Sequence, residues 1–249
     1  MSVAIVSGAC RGLGQAFAQR LVEAGYSVVG FDVDPAITTM QNFIGLQADV
    51  SVREDVERVI DIARHYGALE IVINNAGTWR RTPVDSSWEV ALEDWDFIMQ
   101  TNLLGVLMLS RAAVPHLQAG GGGHIINVST YYVLPARSDG TNQPDTDLYN
   151  ASKWALNGFT DAWAKRLAGD GIRVNGMCMG AVDTDMLRGL FPDHQLPPQL
   201  ADQVMQAEDL AQQMIDIIDS GRSGENFGAW VGEPIGLGER PPMHQRITG

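Results

Sequence analysis

The chain has 249 residues, of which 45% are hydrophobic and 19% charged, and it carries a net charge of −13. That length suits one large α/β domain with a single core, and the scattered bases in an acidic chain argue against nucleic acid or an anionic membrane as partner. No apolar run reaches the ~18 residues that a membrane span needs, and the two cysteines suggest neither a disulfide framework nor a metal site, so a cytoplasmic, metal-free enzyme is expected.

In chain order, residues 3–7 read as a first strand, following Ser2 with no sign of a secretory leader. Ser7-Gly8-Ala9-Cys10-Arg11-Gly12-Leu13-Gly14 comes next and opens a helix. Glycines at such a junction permit a tight turn and let the backbone approach a pyrophosphate at the positive helix end. The spacing is Gly-x-x-x-Gly-x-Gly, not the Gly-x-Gly-x-x-Gly of the general dinucleotide fingerprint. A second strand, residues 27–31, leads to Asp32, 18 residues beyond Gly14. A carboxylate there can accept hydrogen bonds from the adenosine ribose and would repel a 2′-phosphate. Arg11 is a base that favours NADP; Asp32 outweighs it, being expected directly at the ribose, so NAD is the predicted cofactor.

Strands are also predicted at residues 44–48, 69–73, 124–129, 172–178 and 229–232. Ser51-Val52-Arg53-Glu54 reads as a capping box, with Val56, Val59, Ile60 and Ala63 at core spacing behind it. A longer helix carries Trp95, Ile98, Met99, Val106, Leu109 and Ala113, and another carries Leu156, Phe159, Trp163 and Leu167. Polar breaks fall at residues 78–87, 137–147 and 191–198, and the tail, 236–249, reads as irregular. Apolar runs alternating with helical patterns predict a single α/β domain over residues 1–249, a Rossmann-type doubly wound parallel sheet of about seven strands with helices on both faces.

Tyr149 and Lys153 lie four residues apart, on one face of a helix. A phenol with a pKa near 10 is a poor base at neutral pH, and a neighbouring cation lowers that value. The pair is a candidate proton-transfer device, although the spacing alone is common.

Taken together, these residues resemble the short-chain dehydrogenase/reductase family over nearly the full length. Gly8, Gly12 and Gly14 match the family's cofactor loop, Asp49-Val50 its adenine-contacting pair, and Asn74-Asn75-Ala76-Gly77 its signature after the fourth strand. Asn102 matches the asparagine that supports a catalytic water, and Tyr149-x-Ala-Ser-Lys153 the active-site signature. Gly180-Ala181-Val182-Asp183-Thr184 resembles the segment that holds the nicotinamide amide and pyrophosphate, through Val182 and Thr184. Met179 stands where the family usually has proline, and the segment after the last strand also departs from the pattern. In place of Asn-x-Ser-Ser the chain has Asn127-Val128-Ser129-Thr130, which aligns Thr130 with the catalytic serine and leaves Ser129 as its substitute. Eighteen residues separate Thr130 from Tyr149, which places an insertion within residues 131–148, read as an irregular loop at the pocket rim.

The resemblance implies hydride transfer between NAD(H) and a secondary alcohol or ketone. Tyr149 would act as acid/base, Lys153 would bind the nicotinamide ribose and lower the phenol pKa, and Thr130 would hold the substrate oxygen. Dehydration or epimerisation on the same fold, and a non-catalytic nucleotide sensor, are the alternatives. Residues 187–205 occupy the place of the family's substrate loop; Leu187, Leu190, Phe191, Leu196 and Met205 suggest a substrate with an apolar body, with Arg188 and His194 as polar exceptions. A homodimer or homotetramer, formed through the two long helices at about 94–117 and 149–167, is the family-level expectation.

Overall fold

The computed structural model describes residues 2–134, 144–201, 203–233 and 235–236. The strands are β1 (Ser2–Ser7), β2 (Ser27–Asp32), β3 (Phe43–Gln47), β4 (Ala68–Asn74), β5 (Gly123–Thr130), β6 (Ile172–Met179) and β7 (Asn226–Ala229). All pair in parallel, in the order β3-β2-β1-β4-β5-β6-β7. The helices are α1 (Gly12–Glu23), α2 (Arg53–Arg64), α3 (Trp88–Met99), α4 (Val106–Ala119), α5 (Asp147–Leu167), α6 (Asp185–Arg188), α7 (Pro198–Ala201) and α8 (Ala207–Asp219).

Side chains alternate across each strand, so each face of the sheet carries its own core. Ala4, Val6, Ile71, Ile73, Ile126 and Val128 pack with Phe17 of α1 and Leu210 and Met214 of α8. Val3, Ile5, Val72 and Ile125 pack on the other side with Val59 of α2, Leu109 of α4 and Ala164 of α5. Two apolar faces per strand explain why the sequence shows continuous apolar runs rather than alternation. Strand order reverses at β1, which pairs with β2 on one side and β4 on the other. In such sheets the ligand crevice opens at the carboxyl ends of the strands, at this switch point.

Several sequence expectations change in detail. The last strand lies at Asn226–Ala229, not 229–232. Its pairing begins early because Glu225 accepts from the Gly176 N–H at 2.8 Å and donates to Asn175 Oδ1 at 3.2 Å. The polar Asn226 concealed that start, and Gly232, at φ 72°, turns the chain instead of extending it. The capping box also does not form: α2 has Val52 as N-cap, with no side-chain cap. Ser51 bonds Asp49 Oδ1 through both its N–H and its hydroxyl, and Asp55 accepts the Asp49 N–H at 2.8 Å. Asp49 has captured the serine that would have capped the helix. Met205, assigned to the substrate loop, is buried in the core beside α8, drawn in by its pairing with Val182. Residues 135–143, half of the 131–148 insertion and including Pro135, Arg137 and Asp139, lie outside the described residues, as does the tail from 237 to 249.

The long helix is interrupted. Gln100–Gly105 forms a π-helical turn between α3 and α4. Trp88–Ala119 as a whole is long and apolar enough to cross a bilayer by length and composition, yet 44% of its most apolar window is buried in the protein. Ile98, Asn102, Val106, Leu109 and Ala113 face inward, which is the pattern of a core helix.

Candidate active site

The glycine loop is shaped by backbone contacts that no side chain could share. A Cβ at Gly14 would stand 2.0 Å from Gly8 O and 2.5 Å from Asn75 Nδ2. Gly8 (φ 66°) and Gly12 (φ 55°) adopt the left-handed conformation that glycine tolerates. Asn75 Nδ2 ties the loop to β4 by donating to Ser7 O at 2.9 Å and Gly8 O at 3.0 Å, and Ser7 Oγ accepts the N–H groups of Asn75 and Ala76 at 3.0 Å. Ser7 carries no motif signal of its own in the sequence, yet its hydroxyl joins the first and fourth strand ends. Arg11, the N-cap of α1, supplies no side-chain cap, and Gln15 is the first residue whose N–H turns back to Arg11 O. The N–H groups of Gly12, Leu13 and Gly14 therefore face the crevice at the positive helix end, a donor set suited to a pyrophosphate.

At the end of β2, the Asp32 carboxylate is oriented by the N–H groups of Cys10 (3.0 Å) and Asp34 (3.1 Å). Arg11 turns away to pair with Asp34 at 3.1 Å, at the surface. Val50 is buried, and a Cβ at Gly105 would stand 2.6 Å from its Cγ1, so Asp49-Val50 is seated against the π turn. Thr184 caps α6, accepting the Leu187 N–H at 3.4 Å, and its methyl lies 3.4 Å from where a Gly12 Cβ would sit. The segment carrying Val182 and Thr184 thus folds over the glycine loop. Arg188, a polar exception in the 187–205 segment, grips Asp183 at 2.6 and 2.9 Å.

The second half of the site is built on α5. Thr82 and Thr146 form a parallel bridge, and Thr82 Oγ1 donates to Asp147 Oδ1 at 2.5 Å, fixing the start of the helix to the loop after β4. Lys153 is buried, donates from Nζ to Val128 O at 3.0 Å, and lies 5.8 Å from the Tyr149 ring centroid. Asn102, in the π turn, accepts the Thr78 N–H at 2.8 Å and donates to Thr78 O at 3.0 Å and Ser152 Oγ at 3.1 Å. Ser152 in turn donates to Tyr149 O at 2.7 Å. The position of a Gly77 Cβ is 3.5 Å from both Asn102 Oδ1 and Lys153 Nζ, so these two heads flank one point beside Gly77. The π turn was not legible in the sequence; it serves to point Asn102 inward, as such turns often do at functional sites.

Burial governs the two titrating groups. Tyr149 is partly exposed, yet desolvation raises its phenol to about 12, while burial lowers the Lys153 ammonium to about 8. The expected lowering of the phenol by Lys153 is not seen here: loss of water is the cause that moves the phenol, and at this separation the ammonium adds no shift of its own. At neutral pH the pair is a phenol beside an ammonium.

Along β5, Ile126 and Val128 face α1 and α8, whereas Asn127 donates to Thr160 of α5 at 3.0 Å. Ser129 shares the face of Asn127; its Oγ is sealed from solvent next to Cys178, its neighbour across the strand pair. Thr130 is the last residue of the strand, and its Oγ1 accepts the Tyr132 N–H at 3.5 Å.

The glycine loop, Asn74–Gly77, Asn102 and the Tyr149/Lys153 helix thus meet at one strand-end crevice. The chain matches the family described as short chain dehydrogenase over residues 2–195. It belongs to the short-chain dehydrogenase/reductase family. Among its relatives, the 2-dehydro-3-deoxy-D-gluconate 5-dehydrogenase of Escherichia coli (strain K12) is 33% identical over 211 residues, 81% of this chain and 80% of the relative. A solved 3-ketoacyl-(acyl-carrier-protein) reductase from Brucella melitensis, complexed with NADH, superposes with a TM-score of 0.77 at 26% identity, covering 93% of this chain and 97% of that one. A gluconate 5-dehydrogenase from Burkholderia cenocepacia J2315, in complex with NADP and tartrate, gives 0.80 at 27% identity, covering 93% and 94%. The chain is thus an oxidoreductase of this family with a Rossmann-type sheet.

Proposed function

We propose that this short-chain dehydrogenase transfers a hydride between NAD(H) and a secondary alcohol or ketone with an apolar body. The observation that carries the reading is the convergence of Tyr149, Lys153 and Asn102 on the crevice that the glycine loop lines. The residues fit a dinucleotide. The N–H groups of Gly12, Leu13 and Gly14 would hold the pyrophosphate, with Gly8 and Arg11 shaping the turn. Asp32 would accept the adenosine ribose hydroxyls, Asp49 and Val50 would border the adenine, and Asn75, Ala76 and Gly77 would line the middle. Tyr149 and Lys153 would bind the nicotinamide ribose, and Val182 and Thr184 the carboxamide side. When bound, the cofactor exchanges a hydride with the substrate carbon.

The protein's part is proton transfer and orientation. In reduction, the Tyr149 phenol donates its proton to the substrate oxygen; in oxidation, the Tyr149 phenolate takes the hydroxyl proton. Thr130, at the rim, donates a hydrogen bond to that oxygen. Asn102 Oδ1 retains a lone pair beyond the one Thr78 uses, and with Lys153 it flanks the point beside Gly77 where a water can link the ammonium to solvent. Progress curves following reduced nicotinamide absorbance, over a panel of alcohols and ketones, test the assignment; no turnover with any of them would overturn it.

Three outcomes follow from particular residues. NAD(H) should be preferred over NADP(H), because Asp32 meets a 2′-phosphate with like charge and Arg11 is held by Asp34. Asp32→Ala should narrow the gap in kcat/KM between the two cofactors; a wild-type preference for NADP(H) would reverse the reading. Thr130→Ala should cost at least about tenfold in kcat/KM, roughly 1.4 kcal/mol of transition-state stabilisation. Thr130→Ser should keep most activity and Ser129→Ala should do less harm than Thr130→Ala; the opposite order would move the role to Ser129. Finally, the outer face of α3, with Trp88 at 80%, Leu92 at 61% and Trp95 at 50% exposure, leads into an apolar groove of about 290 Å³ closed by Phe159 of α5. A patch of this kind on the two long helices supports a homodimer or homotetramer. Light scattering at micromolar concentration should find it, and Trp95→Asp should shift the protein toward monomer.

A further inference from the structure

We infer that Tyr131 and Trp230 form an aromatic wall that selects substrates whose carbonyl or carbinol carbon carries a ring. This rests on the hydride-transfer reading above and adds the substrate class. Tyr131 follows Thr130 directly, in the short 3-10 turn Tyr131–Val133 that leaves β5. Asn157 of α5 pins that turn by donating to Val133 O at 3.3 Å. The Tyr131 ring meets the Trp230 ring edge to face, centroids 5.5 Å apart, and the Tyr132 ring at 4.6 Å. Trp230 comes from the other side, as the first residue after β7.

Gly228 makes room for the Trp230 ring, and the Tyr131 ring packs beside Gly180. The Tyr131 ring comes to 4.0 Å from the position of a Gly180 Cβ, and a Cβ at Gly228 would stand 2.9 Å from Trp230 Nε1 and 3.1 Å from Leu134 Cδ1. The wall therefore spans the carboxyl ends of β5, β6 and β7, on the same edge of the sheet as the crevice. It begins one residue beyond the hydroxyl that holds the substrate oxygen, so the group attached to the reacting carbon is the part of the substrate that meets it. Aromatic faces and edges favour a flat apolar ring, whereas a polyol chain would surrender its hydration there without recovering hydrogen bonds.

The test uses acetophenone as the ring-bearing ketone and butan-2-one as the small acyclic one. Wild-type kcat/KM should favour acetophenone by at least thirtyfold. Tyr131→Ala and Trp230→Ala should each reduce that preference by about tenfold or more, through KM for acetophenone, with butan-2-one turnover and NAD(H) binding unchanged. Tyr131→Phe and Trp230→Phe should retain the preference, and Tyr131→Leu, which keeps bulk without an aromatic face, should lose it even where the alanine variant unfolds. As a readout apart from turnover, 1-phenylethanol should raise the melting temperature of the wild-type protein with bound NADH and not that of the alanine variants. Equal losses on both ketones, or a wild-type preference for a polyhydroxy acid, would overturn the wall while leaving hydride transfer standing. Absence of turnover with any carbonyl would overturn both.

Discussion

Tyr149→Phe should lower turnover by about a thousandfold while leaving cofactor affinity within a few-fold of wild type. The substitution removes one oxygen and keeps the ring that packs at the start of α5, so fold and crevice survive. What is lost is the proton donor, a contribution of about 10²–10⁴-fold when an acid/base is positioned in the transition state. Lys153→Ala should damage both turnover and binding, since in the proposed function its ammonium would anchor the ribose as well as stand beside the phenol. Titration calorimetry with NADH, beside steady-state rates, separates the two. Appreciable turnover in the phenylalanine variant would remove Tyr149 from the chemistry. The pH profile has a defined sign. Below about pH 8 Lys153 is an ammonium and Tyr149 a phenol, both in the form that reduction requires. Raising the pH through 8 discharges Lys153, so reduction should fall on the alkaline side. Oxidation needs the phenolate and should gain as pH rises.

Gly14→Ala should abolish measurable cofactor binding and lower stability by about 1–3 kcal/mol or more, the cost of forcing extra volume into a packed site. Its Cβ would stand 2.0 Å from Gly8 O, a backbone atom that cannot step aside without opening the turn, and 2.5 Å from the Asn75 amide that holds the turn to β4. The loop would have to move away from β4, and with it the N–H groups proposed to hold the pyrophosphate. For a chain of this size each kcal/mol lowers the melting temperature by about 2–4 °C. Gly158→Ala is the control: nothing lies within 4 Å of its Cβ position in α5, and alanine in a helix interior is favoured by up to ~1 kcal/mol. Cofactor binding unchanged in Gly14→Ala would show that the turn is looser than its contacts imply.

Much of the architecture was written in local pattern. Strands buried on both faces require continuous apolar runs, so β1, β2, β4, β5 and β6 were visible within one or two residues. The glycine loop, Asp32, Asn75, Asn102, Tyr149 and Lys153 were legible because each is a residue type that its position demands, and their order along the chain carried the family resemblance. What failed depended on partners distant in sequence. The start of β7 is set by Glu225 and Asn226 pairing with Asn175 and Gly176, some fifty residues earlier, and its polar residues gave no local sign. Ser51 looked like a cap until Asp49 claimed its hydroxyl. The π turn around Asn102 leaves no mark in the helical periodicity.

Sequence alone determined the sheet's strand content, the family and the candidate chemistry, because burial on both faces, tight glycine turns and a helical Tyr-x-x-x-Lys spacing are local constraints. Tertiary structure decided the electrostatics and the neighbours. It turned Arg11 to Asp34 and Arg188 to Asp183, it raised the Tyr149 phenol through desolvation where proximity to Lys153 predicted the reverse, and it brought Tyr131 to Trp230. Such outcomes depend on which charges and rings share a dry space, and that is set only when strands far apart in sequence lie side by side.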